Sequence, residues 1–150
     1  MSIEKSFAGI SYRGSFRDYQ RHLLRKLEER LDERKLNIVT PPGSGKVALG
    51  LEIVRRIKAP CLVISTTDIT RSRWGDCFVS SFLPDELRGQ RGQYVSYDLK
   101  NPALLTSVTY ETLHAAFTKS DVTEDGLRIS YADTDIIRLT DKYLDATKCL

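Results

Sequence analysis

The residues best suited to chemistry are Thr40-Pro41-Pro42-Gly43-Ser44-Gly45-Lys46. Two glycines one residue apart let the backbone pass through positive φ, so that successive N–H groups can turn inward. When a helix follows, these N–H groups and the helix N-terminus together form an anion cradle. Lys46 adds a point charge of the kind that meets β- and γ-phosphates. The pattern predicts a phosphate-binding loop made by Pro42, Gly43, Ser44, Gly45 and Lys46. The next residue departs from the usual pattern. A Ser or Thr normally follows the lysine and offers its hydroxyl to Mg2+, whereas here it is Val47. Valine has the outline of threonine without the oxygen. The expectation is a loop that still cradles phosphate, with Mg2+ binding weakened or lost and hydrolysis impaired.

Such a loop works only between elements that hold it, and the flanking sequence predicts them. Residues 36–40 form a short β-rich run that Pro41-Pro42 must end, because proline cannot continue a ladder. Leu49, Ile53, Val54 and Ile57 recur at helical spacing until Pro60 closes the segment. Upstream, residues 17–35 place Leu23, Leu24, Leu27 and Leu31 on one helical face. The remaining faces carry charges that pair at helical spacing, such as Lys26 with Glu29 and Arg30 with Glu33. Downstream, residues 61–65 are an apolar run of strand length. Thr66-Thr67-Asp68 then offers cap oxygens to a helix reaching about residue 79. Residues 84–93 read as a loop, 94–99 and 104–110 as strands, 112–117 as a short helix and 121–126 as a loop. Ile136, Ile137, Leu139 and Leu144 suggest a further helix, and Lys148-Cys149-Leu150 a strand onset. Strands alternating with helices predict an α/β fold with a mainly parallel sheet. Residues 1–15 read as a lead-in and 16–150 as a single domain.

Composition narrows the class. The chain has 150 residues, 41% hydrophobic and 29% charged, which excludes a disordered or fibrous chain. The net charge of +3 permits a nucleic-acid partner without requiring one. The longest apolar runs are a few residues, far short of the roughly 20 needed to span a bilayer, so no membrane partner is expected. Cys61, Cys77 and Cys149 are odd in number and widely spaced, which fits neither a disulfide framework nor a zinc site and favours a reducing cytoplasm. The two histidines, His22 and His114, belong to no catalytic triad or metal pattern.

Kinases, AAA-type ATPases and helicases share the phosphate loop, and its neighbours discriminate among them. Phe16-Arg17-Asp18-Tyr19-Gln20 precedes Lys46 by 26 residues, counted from Gln20. This segment resembles the Q-motif of superfamily 2 helicases, especially the branch of type III restriction helicase subunits and related DEAD/DEAH-box proteins. The resemblance implies that Gln20 reads the adenine of ATP, with Arg17 nearby. Cys61-Leu62-Val63-Ile64-Ser65-Thr66-Thr67, followed by Trp74 and Phe78, is similar to motif Ia. It implies nucleic-acid contacts from Ser65, Thr66, Thr67, Arg71 and Arg73, although Arg73 stands where the family often has glutamine. Thr106 to His114 resembles motif Ib and points to Thr109 and Tyr110. The structural reading of the same residues is plainer: helix caps at 65–68, and Trp74 and Phe78 packed in the core.

Taken together the resemblance covers residues 16–118. It implies a RecA-like P-loop NTPase, a three-layer α/β fold, here incomplete. The family's Asp-Glu-x-His element does not follow Lys148-Cys149-Leu150, and the second RecA-like domain is missing as well. The expected function is the ATP-binding portion of a DNA or RNA helicase or translocase, cytoplasmic, with DNA favoured over RNA. Its partners would be nucleic acid and the remainder of the helicase core. The chain alone would be inactive. The alternatives are a degenerate P-loop module with a nucleotide-binding or regulatory role and a P-loop kinase; for the latter, no substrate lid is discernible.

Overall fold

The computed structural model describes residues 6–33, 35–123 and 126–131. Two helices come first, α1 (Asp18–Glu28) and α2 (Lys46–Ile57). Strand β1 (Cys61–Ser65) leads into α3 (Asp68–Ser81), then into 3-10 turns over Asp85–Gln93. Strands β2 (Val95–Ser96) and β3 (Leu105–Thr109) follow, then α4 (Tyr110–Phe117) and two strands, β4 (Thr118–Thr123) and β5 (Gly126–Tyr131).

Strands β1, β3 and β2 form a parallel sheet in that spatial order, with β3 central. Parallel strands are stable only when both faces are covered, and the side chains show how that is met. Cys61 and Val63 of β1 and Leu105 of β3 join Leu51 and Val54 of α2, Phe78 of α3 and Phe82 just after it in one apolar cluster. On the opposite face Leu62 and Val108 meet Leu113 and Ala116 of α4. The result is an α/β arrangement with helices on both faces of a small parallel sheet, as the alternation predicts. Strands β4 and β5 pair separately as an antiparallel ribbon.

Helix α2 is buried on two sides. Leu49 and Ile53 face Leu24 and Leu27 of α1 and Leu36, while Leu51 and Val54 face the sheet side. Its Glu52 is also buried, in a fork with Arg55 (2.7 and 2.9 Å) and Arg56 (2.9 Å). Gly50 makes room for Trp74 of α3: a Cβ there would lie 2.6 Å from the indole ring. Trp74 is accordingly partly buried against the core, and Phe78 is fully buried.

Several local expectations change. The run 36–40 belongs to no ladder: Leu36 is buried and Ile38 packs beside it, but Val39 is 88% exposed. Extended residues become a strand only when a neighbour takes up their N–H and C=O groups, and no described strand flanks this run. Helix α1 ends at Glu28, earlier than residue 35, although the Arg30–Glu33 ion pair forms in the turns beyond it. The strand expected over 94–99 shrinks to two residues, and the loop expected over 84–93 is organised as 3-10 turns. Residues 121–123, expected in a loop, lie in β4. The N-terminal lead-in contributes Phe7 and Ile10 to the core, and Arg13 ties it down with two hydrogen bonds to Asp85. The helix and strand onset expected beyond residue 131 lie outside the described residues.

Candidate phosphate-binding site

The loop predicted from the glycines has the backbone that prediction requires. Gly43 and Gly45 sit at φ +72° and +77°, in the left-handed region. Gly45 is the N-cap of α2 and carries no side chain to satisfy the first N–H groups of the helix. The first turn has no acidic residue to compete for them either. Twelve residues of aligned peptide dipoles therefore end in unsatisfied donors beside the exposed Lys46. This is the arrangement that favours an anion at a helix N-terminus.

With no strand behind the loop, the start of α1 holds it. The Tyr19 hydroxyl donates to the Ser44 carbonyl, and the Gln20 side-chain amide donates to the same oxygen at 3.1 Å. The amide also reaches the Gly45 carbonyl at 3.5 Å, and Arg17 donates to the Gly43 carbonyl at 3.5 Å. Three successive carbonyls are thereby drawn toward α1. Gln20 is 5% exposed, and its other end is occupied as well: its Oε1 accepts the Arg17 backbone N–H at 2.9 Å, closing the N-terminus of α1. Both ends of the amide thus serve the fold. Arg17 and Tyr19 are exposed beside it. The resemblance assigns Gln20 to the adenine of ATP; in this geometry its amide braces the loop.

The donor set can be compared with what each group would need. The uncapped α2 N-terminus and Lys46 fit a phosphate. The Ser44 hydroxyl is buried and has no partner, so one further donor is available within the loop. The set does not fit Mg2+ equally well. Val47, like Trp74, packs against the buried core cluster, and it has no oxygen to give. Among the described residues no group of three or more His, Cys, Asp or Glu converges.

The residues proposed for nucleic acid fall into two groups. Ser65 and Thr109 are Cα partners in the β1–β3 register. The ends of both strands, with Thr66 and Thr67 after one and Tyr110 after the other, therefore lie side by side at one edge of the sheet. Parallel sheets place ligand-facing turns at this carboxyl edge. Thr67 caps α3 by accepting the Thr70 N–H at 3.2 Å, and Thr109 caps α4 by accepting the Thr112 N–H at 3.2 Å. Thr66, Thr67 and Tyr110 are exposed, Tyr110 at 59%. Ser65 is buried with an unpartnered hydroxyl.

The arginines behave differently. Arg71 turns onto the protein, with its guanidinium 5.2 Å from the Tyr97 ring centroid and 3.4 Å from Asp68, while its carbonyl accepts the Ser107 hydroxyl. Tyr97 is pushed toward a higher pKa by burial and by the charge of Asp76. Arg73 is exposed, but it shares its groove on α3 with Asp68 and Asp76. Those carboxylates reduce what it offers a phosphate backbone.

Sequence reasoning missed two parts of the site. Tyr19 lies within the segment 16–20, yet nothing in its spacing marks it as the second donor to Ser44. The structural use of the Gln20 amide was also hidden, although a glutamine three residues after a helix N-cap is a recognisable signal. No helix among the described residues is long and apolar enough to cross a membrane. Compared with family models and with curated proteins, the chain matches none.

Proposed function

We propose that this chain is the ATP-binding portion of a RecA-like superfamily 2 helicase or translocase, whose hydrolysis drives movement on nucleic acid. One observation carries the nucleotide part: an uncapped helix N-terminus behind two left-handed glycines, with Lys46 exposed at its mouth and the loop carbonyls drawn away to α1. The nucleic-acid part is supported by Thr66, Thr67 and Tyr110 meeting at the carboxyl edge of the sheet. DNA is preferred to RNA on the resemblance to restriction helicase subunits. The 150 residues contain no Asp-Glu-x-His tetrapeptide. Hydrolysis is therefore assigned to a complete helicase core, with this chain binding ATP and not turning it over.

Titration of a fluorescent ATP analogue, with and without Mg2+, tests the reading. Lys46→Ala is expected to weaken binding at least about tenfold, the loss of one charge-assisted contact. Equal binding by the variant refutes the site. A labelled single strand should bind at low salt and weaken steeply as salt rises. Undetectable or salt-insensitive binding removes the assignment of Ser65, Thr66, Thr67, Arg71, Arg73, Thr109 and Tyr110.

A second reading has its own observation. Val47 is packed against the core where a Mg2+-binding hydroxyl would be expected. This favours a degenerate nucleotide-binding or regulatory module without ATPase activity. Val47→Thr separates the two: a gain in Mg2+-dependent binding supports the helicase-type site, and no gain supports the degenerate module.

A further inference from the structure

The first turn of α1 holds the phosphate loop, and residues upstream of α1 hold that turn. Arg17, Asp18 and Tyr19 are exposed, and the leucines that seat α1 on α2, Leu24 and Leu27, come a turn or more later. Phe16, immediately before the N-cap Arg17, anchors the start of the helix. Its ring stacks on Tyr12 at 4.2 Å and 27°. Tyr12 lies in turn 5.2 Å from the ring of Phe82, which is 1% exposed and stacks on Phe78 at 6.2 Å. Tyr12 packs against the apolar cluster on the sheet side, and Phe16 against the cluster between α1 and α2. The stacked pair therefore bridges the two clusters.

The chain around Tyr12 is tied to the far end of α3. The Arg13 N–H donates to the Ser81 carbonyl at 2.8 Å. The Arg13 guanidinium donates to the Leu83 carbonyl at 3.4 Å and to Asp85 at 2.9 and 3.2 Å. Further upstream, Phe7 meets Phe78 edge-on at 6.4 Å, and Phe7 and Ile10 are both buried. Gly14 leaves room for the Tyr12 ring: a Cβ there would lie 2.6 Å from it. Residues 6–16 are thus fixed to the core and to the end of α3 on one side. On the other side they reach, through Phe16, the three residues that draw the Gly43, Ser44 and Gly45 carbonyls toward α1.

We infer that segment 6–16 is a strap that positions the phosphate loop, with Tyr12 as its positioning residue acting through Phe16 on Arg17, Tyr19 and Gln20. Its consequence for a ligand rests on the nucleotide reading above; its consequence for the order of the loop does not. The test uses the full chain and two readouts: affinity for the fluorescent ATP analogue, and NMR order parameters of the Gly43, Ser44 and Gly45 amides. Tyr12→Leu removes the stack and is expected to weaken the analogue about three- to tenfold, the worth of one aromatic pair. It should also lower the loop order parameters from the rigid value of about 0.85. Tyr12→Phe keeps the ring and should match the parent in both readouts. Gly14→Ala, at an exposed position, displaces the Tyr12 ring and should shift both readouts in the same direction as Tyr12→Leu. Leu99→Ala empties a buried position on the opposite face of the sheet and serves as the control for stability alone. It should lower the melting temperature and leave both readouts at parent values. Parent-like affinity and order in Tyr12→Leu and Gly14→Ala, or equal changes in Leu99→Ala, overturn the inference. A parent that does not bind the analogue overturns the nucleotide reading instead, and the order parameters then decide the strap by themselves.

Discussion

Gln20 allows a sharp test of what holds the phosphate loop. Its amide accepts the Arg17 N–H at 2.9 Å and donates to the Ser44 carbonyl at 3.1 Å, and the side chain is buried. Gln20→Leu keeps the volume and deletes both bonds. Each is worth about 1 kcal/mol net, so the expected loss is about 2 kcal/mol, moderated because Tyr19 still donates to Ser44. In a domain of this size that is about 6–8 °C in melting temperature. Gln20→Glu is more selective. It preserves the acceptor for Arg17 but turns a donor into an oxygen that faces the Ser44 and Gly45 carbonyls. Burial and those carbonyls disfavour the charged form, so the folded pKa of the introduced carboxyl is raised. The deficit is therefore full above that pKa and shrinks as pH falls below it, where the protonated carboxyl can donate to Ser44 again. Circular dichroism melts at pH 5 and pH 8 measure this directly. The reasoning fails if both variants melt with the parent at both pH values while affinity for the ATP analogue drops. That outcome would place the amide on a ligand instead of on the loop.

Three further outcomes are expected. Gly45→Ala forces a Cβ into the left-handed region and within 2.7 Å of the Gln20 amide nitrogen, and it should cost about 1–2 kcal/mol in urea unfolding with a matching loss of ATP-analogue binding. Gly50→Ala would gain about 1 kcal/mol of helix propensity, yet its Cβ meets the rigid Trp74 ring at 2.6 Å; net destabilisation of about 1–2 kcal/mol is expected from overpacking, and a rise in melting temperature would contradict the α2–α3 packing. Burial pushes the Glu52 carboxyl upward, but the hydrogen bonds and charges of Arg55 and Arg56 hold it below the ordinary carboxylate value. Its stabilising effect is present above the unfolded pKa and is lost as pH falls through the folded one. Glu52→Gln should therefore lose about 1–3 kcal/mol at pH 7, and the gap to the parent should close as pH falls below about 4.

The elements most legible in the sequence were those specified by local signals. Thr67 caps α3 through a hydroxyl whose position relative to Asp68 and Thr70 could be read directly. The apolar runs at β1 and β3 became parallel neighbours in the sheet. Gly43 and Gly45 took the left-handed backbone that their loop position implied. The run 36–40 has strand propensity but pairs with no described strand, because strand propensity is local and strand pairing is not. Phe7 and Ile10 are not legible as core, because isolated apolar residues in a Gly- and Ser-containing segment give no periodicity; their burial comes from joining the cluster that contains Phe78.

By itself, then, the sequence determined the left-handed turn at Gly43 and Gly45 and the uncapped helix start with Lys46 behind it, since glycine conformation, helix polarity and a following lysine are properties of contiguous residues. It also determined that Val47 has no oxygen for a metal. Only the tertiary structure decided what faces what. It set the Gln20 amide on the Ser44 carbonyl across a sequence separation of 24 residues, laid Ser65 beside Thr109, folded Arg71 onto Tyr97 and stacked Tyr12 on Phe16. Those pairings depend on how helices and strands pack, a balance of burial and hydrogen bonding among distant segments that local patterns do not encode.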